Sequence, residues 1–129
     1  MVSYGIERRL ENTGFDEAVK RATEALKKEG FGILTEIDVQ ETLKKKIDVD
    51  FRRYRILGAC NPQLAHKALL AEPQIGLLLP CNVVVQEADG GIVVSAQAPR
   101  AMFDVVKNPK LDDIAADADA RLRRVISSL

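Results

Sequence analysis

The chain has 129 residues, 47% of them hydrophobic and 29% charged, with a formal net charge of zero. That length and balance describe one globular domain over residues 1–129 that buries a core without staples, and they exclude a disordered chain. Neutrality removes any general attraction to nucleic-acid phosphates or acidic membranes, and no apolar stretch approaches the ~20 residues of a membrane span.

Residues Val2 to Arg8 form a first short strand with Val2, Tyr4 and Ile6 on one face. Thr13, with Asp16 three residues on, resembles a capping arrangement. From Phe15 the apolar positions Phe15, Ala18, Val19, Ala22 and Leu26 keep the helical period, and Gly30 is a natural stop. Phe31 to Val39 reads as a strand. Asp38 and Glu41 have capping-box spacing before a short polar helix, Glu41 to Ile47. The basic runs Lys44-Lys45-Lys46 and Arg52-Arg53 have Asp48 and Asp50 between them and read as solvated surface.

Arg53 to Cys60 alternates, with Tyr54, Ile56, Gly58 and Cys60 on one face and Arg55, Leu57 and Ala59 on the other. Asn61 followed by Pro62 is an N-cap with proline in the first turn, and the helix it starts runs to about Ala71. Leu77 to Glu87 and Gly91 to Gln97 form a hairpin through Asp89-Gly90-Gly91. Pro99 to Lys110 connects it to a last helix, Leu111 to Ser128. That helix has acidic residues at its start, arginines toward its end and an apolar set from Ile114 to Ile126. The predicted fold is α+β in two layers: a mainly antiparallel sheet with the Phe15–Glu29 and Leu111–Ser128 helices on one face. A sheet covered on one side leaves the other exposed, with Leu34, Leu57, Val84 or Val93 available there. A second copy is the expected cover, making a homodimer.

The only cysteines, Cys60 and Cys81, each precede an asparagine at a strand end. With no basic segment and apolar run at the start, the chain is expected in the cytoplasm with both thiols reduced. Alternation groups Cys60 with Tyr54 and Ile56, and Cys81 with Val83 and Val85, so both thiols are expected on one face among apolar neighbours. Three readings stay open. The thiols are small buried packing residues. Alternatively they form a redox pair, with Cys60 activated by the helix that Asn61 caps. Or they ligate a soft metal, Zn²⁺ or Cu⁺, with His66 as third ligand. His66 lies outside the apolar stripe Leu64, Ala65, Ala68, Leu69, which also suits a solvated histidine. Glu36 and Asp38 share a strand face opposite Ile33, Thr35 and Ile37. They are a candidate carboxylate pair, although Asp38 is equally a helix cap. No Gly-rich phosphate loop, nucleophile elbow or HExxH helix is present, which leans away from an enzyme of a familiar type.

The stretch ILGACNPQLAHKALLAEPQIGLLLPCNVVVQE at 56–87, the segment Ile33 to Val39, Ala98-Pro99 and the last helix from Leu111 resemble the bacterial domain-of-unknown-function family 302. The resemblance covers nearly the whole chain. It implies a compact α+β fold similar in topology to TATA-box-binding-protein halves, and a homodimer; it implies no reaction and no cofactor. DNA bending by such a saddle needs a basic sheet face and intercalating wedges. This chain is neutral and 5% aromatic, so no nucleic-acid partner is expected. The leading expectation is a homodimeric binding module for a small ligand or soft metal near Cys60 and Cys81, with Asn61, Asn82 and Glu36 as polar contributors. A thiol redox protein and a structural partner with inert cysteines are the alternatives.

Overall fold

The computed structural model describes residues 2–129. Five strands, β1 (Gly5–Leu10), β2 (Gly32–Asp38), β3 (Tyr54–Cys60), β4 (Cys81–Ala88) and β5 (Gly91–Gln97), form one antiparallel sheet in the order β1-β5-β4-β3-β2. Five α-helices accompany it: α1 (Phe15–Lys28), α2 (Val39–Ile47), α3 (Pro62–Ala71), α4 (Pro99–Phe103) and α5 (Asp112–Ser127).

Alternation decides the two faces of the sheet. Ile6 and Leu10, Ile92, Val94 and Ala96, Val83 and Val85, Leu57 and Ala59 are all buried and form one core with Ala18, Ala22 and Leu26 of α1 and Leu122, Val125 and Ile126 of α5. The two long helices therefore share one face, as their single-sided stripes require. A smaller apolar cluster, Ala68, Ile75, Phe103, Leu111 and Ala115, extends this layer beneath α3 and α4. Arginines tie the helix ends down: Arg121 donates to the carbonyl of Glu29 at 3.0 Å, and Arg8 to the carbonyl of Ser127 at 2.8 Å. Terminal carbonyls without intrahelical partners are satisfied in this way. Among the described residues no helix is long and apolar enough to cross a membrane.

Several expected details differ. The first strand starts at Gly5, because pairing to β5 begins there; Val2 and Tyr4 precede it and stay exposed. Thr13 does not cap α1. Its hydroxyl donates to the carbonyl of Glu11 at 3.0 Å, and Gly14 takes the N-cap position with no side-chain bond. Residues Pro73–Leu78 make a 3₁₀ turn where an early strand start was expected, so β4 begins only at Cys81. Leu57 lies in the core at 1% exposure, not on the open face.

In β2 the register shifts between Ile33 and Thr35. The extra residue, Leu34, puts Ile33 (opposite Ala59) on the same side as Glu36 (opposite Leu57), whereas strict alternation separates them. The caps at Asp38 and Asn61 form as read: Asp38 accepts from the amide of Glu41 at 2.9 Å, and Asn61 from that of Leu64 at 3.2 Å.

Candidate functional site

The two thiols meet at the ends of β3 and β4, but not in the expected way. Ala59 is the residue opposite Cys81, so Cys60 belongs to the open-face set of β3 and Cys81 to the core set of β4. They still border a common space, because Cys60 is the last residue of its strand and Cys81 the first of its own. With Asn61, Leu64, Pro80 and Phe103 they line an apolar cavity of about 30 Å³. That is room on the scale of one water molecule, far below the ~300–1,000 Å³ of ordinary ligand pockets.

Burial pushes both thiols up. The Cys60 pKa is raised by desolvation, and that of Cys81 is raised to about 11 by desolvation and then by the nearby Cys60. This direction runs against the expectation of an activated Cys60 thiolate: loss of hydration at the strand end disfavours the charged form.

The other candidates do not converge on the thiols. His66 is exposed on α3 and does not line their cavity. Among the described residues no three His, Cys, Asp or Glu side chains are grouped to hold a metal ion, so the Cys60–Cys81–His66 ligand set does not form. Asn61 is occupied as the cap of α3. Glu36 pairs with Arg55 at 3.0 Å, and Asp38 lies 3.5 Å from the same guanidinium, which also sits 5.4 Å from the Phe15 ring. Those carboxylates share one cation between them, as a surface ion-pair cluster does.

Asn82 leads elsewhere. It lies on the open face of the sheet, in a groove of about 520 Å³ across β1, β5 and β4. Leu77, Leu79 and Pro80 flank the groove, Tyr4 and Tyr54 contribute to its lining, and Val84 and Ser95 pair across its floor. Gln86 and Gln97 complete a set of neutral polar side chains with Asn82 and Ser95. Sequence reasoning named Asn82 but missed Ser95, Gln86 and Gln97. The signal was available in the alternation of β4 and β5, whose outward positions read Asn, Val, Gln and Val, Ser, Gln. A half-exposed antiparallel sheet alternates polar residues outward, and the outward polar ones on these two strands are all uncharged.

Beside the groove, Gly58 lets two other groups approach the sheet closely. A Cβ at Gly58 would overlap the Thr35 hydroxyl and stand 3.0 Å from Pro80 Cγ. Pro80, which follows a cis peptide bond, and Thr35 therefore lie close over the β3 backbone at the groove's inner end.

The family model described as Domain of unknown function DUF302 matches residues 6–129. The crystal structure of uncharacterized conserved protein DUF302 from Bacillus stearothermophilus aligns with a TM-score of 0.90 at 33% sequence identity, over 98% of this chain and 98% of that one. Among curated proteins nothing matches. On the sequence match and the shared fold together, the chain belongs to the DUF302 domain family.

Proposed function

We propose that this protein is a homodimeric binding module whose ligand lies in the open-face groove rather than in the thiol cavity. The observation that carries this reading is the size and lining of the groove: about 520 Å³, with an apolar floor and a few converging neutral polar groups. Ligand pockets have that general makeup. The thiol cavity, at about 30 Å³, has no room for an organic molecule. Cys60 and Cys81 then act as packing residues, kept reduced in the cytoplasm.

The second copy is assigned to a different surface, β2 with α2. No residue of α2 is buried, although an amphipathic helix draws most of its stability from a packed face. Leu34 and Ile37 on β2, Ile47 on α2 and Val49 just after it are exposed at 66%, 46%, 63% and 43%. Such a concentration of exposed apolar side chains on an edge strand and its helix favours a partner. Two of the lysines there are already paired locally, Lys44 with Asp48 and Lys45 with Glu41, which limits repulsion across a two-fold contact.

Amide chemical-shift mapping with tryptophol, a neutral indole alcohol, tests the ligand site. The expected result is saturable shifts at Asn82, Val84 and Ser95 with none centred on Cys60. Shifts centred on Cys60 and Leu64, or none at all, would overturn the assignment.

A further inference from the structure

Taking the groove as the ligand site, we infer that it selects an uncharged molecule with an apolar body and an acceptor oxygen, and that Asn82 and Ser95 hold that oxygen. The first observation is electrostatic. Among the described residues no lysine, arginine or histidine lines the groove, and the charged residue that does, Glu7, is acidic. The nearest arginines on this face are turned to other work. Arg9 donates to the carbonyls of Ala88 and Asp89 at 2.8 and 2.7 Å, over the hairpin turn. Arg52 donates to Gln86 Oε1 at 3.0 Å. A phosphate or carboxylate placed here would lose its hydration beside Glu7, with no cationic side chain among the described lining residues to replace it.

The second observation is the direction of the free hydrogen-bonding groups. Gln86 Oε1 is taken by Arg52, and Gln97 Oε1 accepts the backbone N–H of Asn82 at 3.2 Å. Each amide spends its oxygen in this network, which leaves its NH₂ group as the donor still to be matched. The side chains of Asn82 and Ser95 make no hydrogen bond among the described residues. They sit on adjacent strands, Ser95 opposite Val84 and Asn82 two residues before it. The groove thus offers an excess of donors beside an apolar floor of Val84 with Leu77 and Leu79 at the side. A ligand oxygen that accepts hydrogen bonds, as the carbonyl of a ketone or amide does and the lone pairs of an alcohol can, matches that excess without bringing charge.

The chain contains no tryptophan, so indole fluorescence reports an indole probe alone. Four probes of similar body separate the contributions: tryptophol, ethylindole, indoleacetate and tryptamine. Tryptophol is expected to bind tightest, about threefold to tenfold tighter than ethylindole, the size of one net hydrogen bond. Indoleacetate is expected to bind more weakly than either. Asn82→Ala and Ser95→Ala should each reduce tryptophol binding toward that of ethylindole while leaving ethylindole unchanged, a result that loss of the fold could not give. Equal affinities for tryptophol and ethylindole, or tighter binding of indoleacetate or tryptamine, would overturn the inference while the groove stands as a site. Failure of all four probes to bind would overturn the groove reading itself, and this inference with it.

Discussion

Gly58→Val is expected to destabilise the protein by about 3 kcal/mol or more, at the upper end of overpacking costs. Even the first carbon of the new side chain has nowhere to go. It overlaps the Thr35 hydroxyl and meets the Pro80 ring at 3.0 Å. Gly58 is itself buried and is paired on both sides, to Thr35 in β2 and Asn82 in β4, so the strand cannot back away. Gly58→Ala should cost less, about 1–3 kcal/mol. Combining it with Thr35→Ala should recover part of that loss, because the hydroxyl is one of the two obstacles. Urea unfolding of the single and double variants measures this coupling. Strict additivity would mean that Thr35 is not pressed against the β3 backbone at Gly58.

Between pH 9 and pH 11, wild-type stability is expected to fall by about 2–3 kcal/mol relative to Cys81→Ala. The cause is the Cys81 thiol, whose pKa rises from an ordinary 9.0 to about 11 in the folded state through burial and the proximity of Cys60. Below pH 9 the thiol is protonated in both folded and unfolded chains, and its contribution is intact. Above that, the unfolded chain releases the proton first, and stability drains away until pH passes the folded value. The alanine variant starts lower, having lost buried sulfur, so the gap between the two proteins should close as pH rises. A gap that stays constant would show that Cys81 ionises freely in the native protein, and the redox reading would regain its basis. Native alkylation offers a parallel reading at neutral pH: Cys60, half-buried, should react slowly and Cys81 more slowly still.

Local chemistry was the most legible part of the sequence. The caps at Asp38 and Asn61, and the turns at Gly30 and Gly90, follow from side chains and backbone freedom within a few residues. The stripes of α1 and α5 likewise led to one shared helix layer, because a continuous apolar face has only the sheet to cover it. What stayed hidden depends on register. Nothing in Gly32–Asp38 marks Leu34 as an extra residue, yet that single insertion moves Ile33 to the side of Glu36. Likewise, alternation within β3 and β4 could not say that Ala59 rather than Cys60 stands opposite Cys81. The pairing offset is set by the chain between the strands, where α3 and the 3₁₀ turn at Pro73–Leu78 intervene. The candidate site suffered most from this. Cysteines drew the eye as reactive groups, whereas the groove is made of valine, serine and amide side chains that carry no motif and converge only once β4, β5 and β1 are aligned.

Two separate surfaces are proposed, one for a second copy and one for a ligand, and sedimentation of two charge variants tests that division most directly. Wild-type protein is expected to sediment as a dimer at micromolar concentration. Ile47→Asp places a charge on the exposed side of α2 and should give a folded monomer that still binds tryptophol. Val84→Asp places one on the groove floor and should leave the dimer intact while abolishing tryptophol binding. A monomeric wild type, or a dimer broken by Val84→Asp and unaffected by Ile47→Asp, would contradict the account; the second result would mean that the open sheet face is the interface between copies.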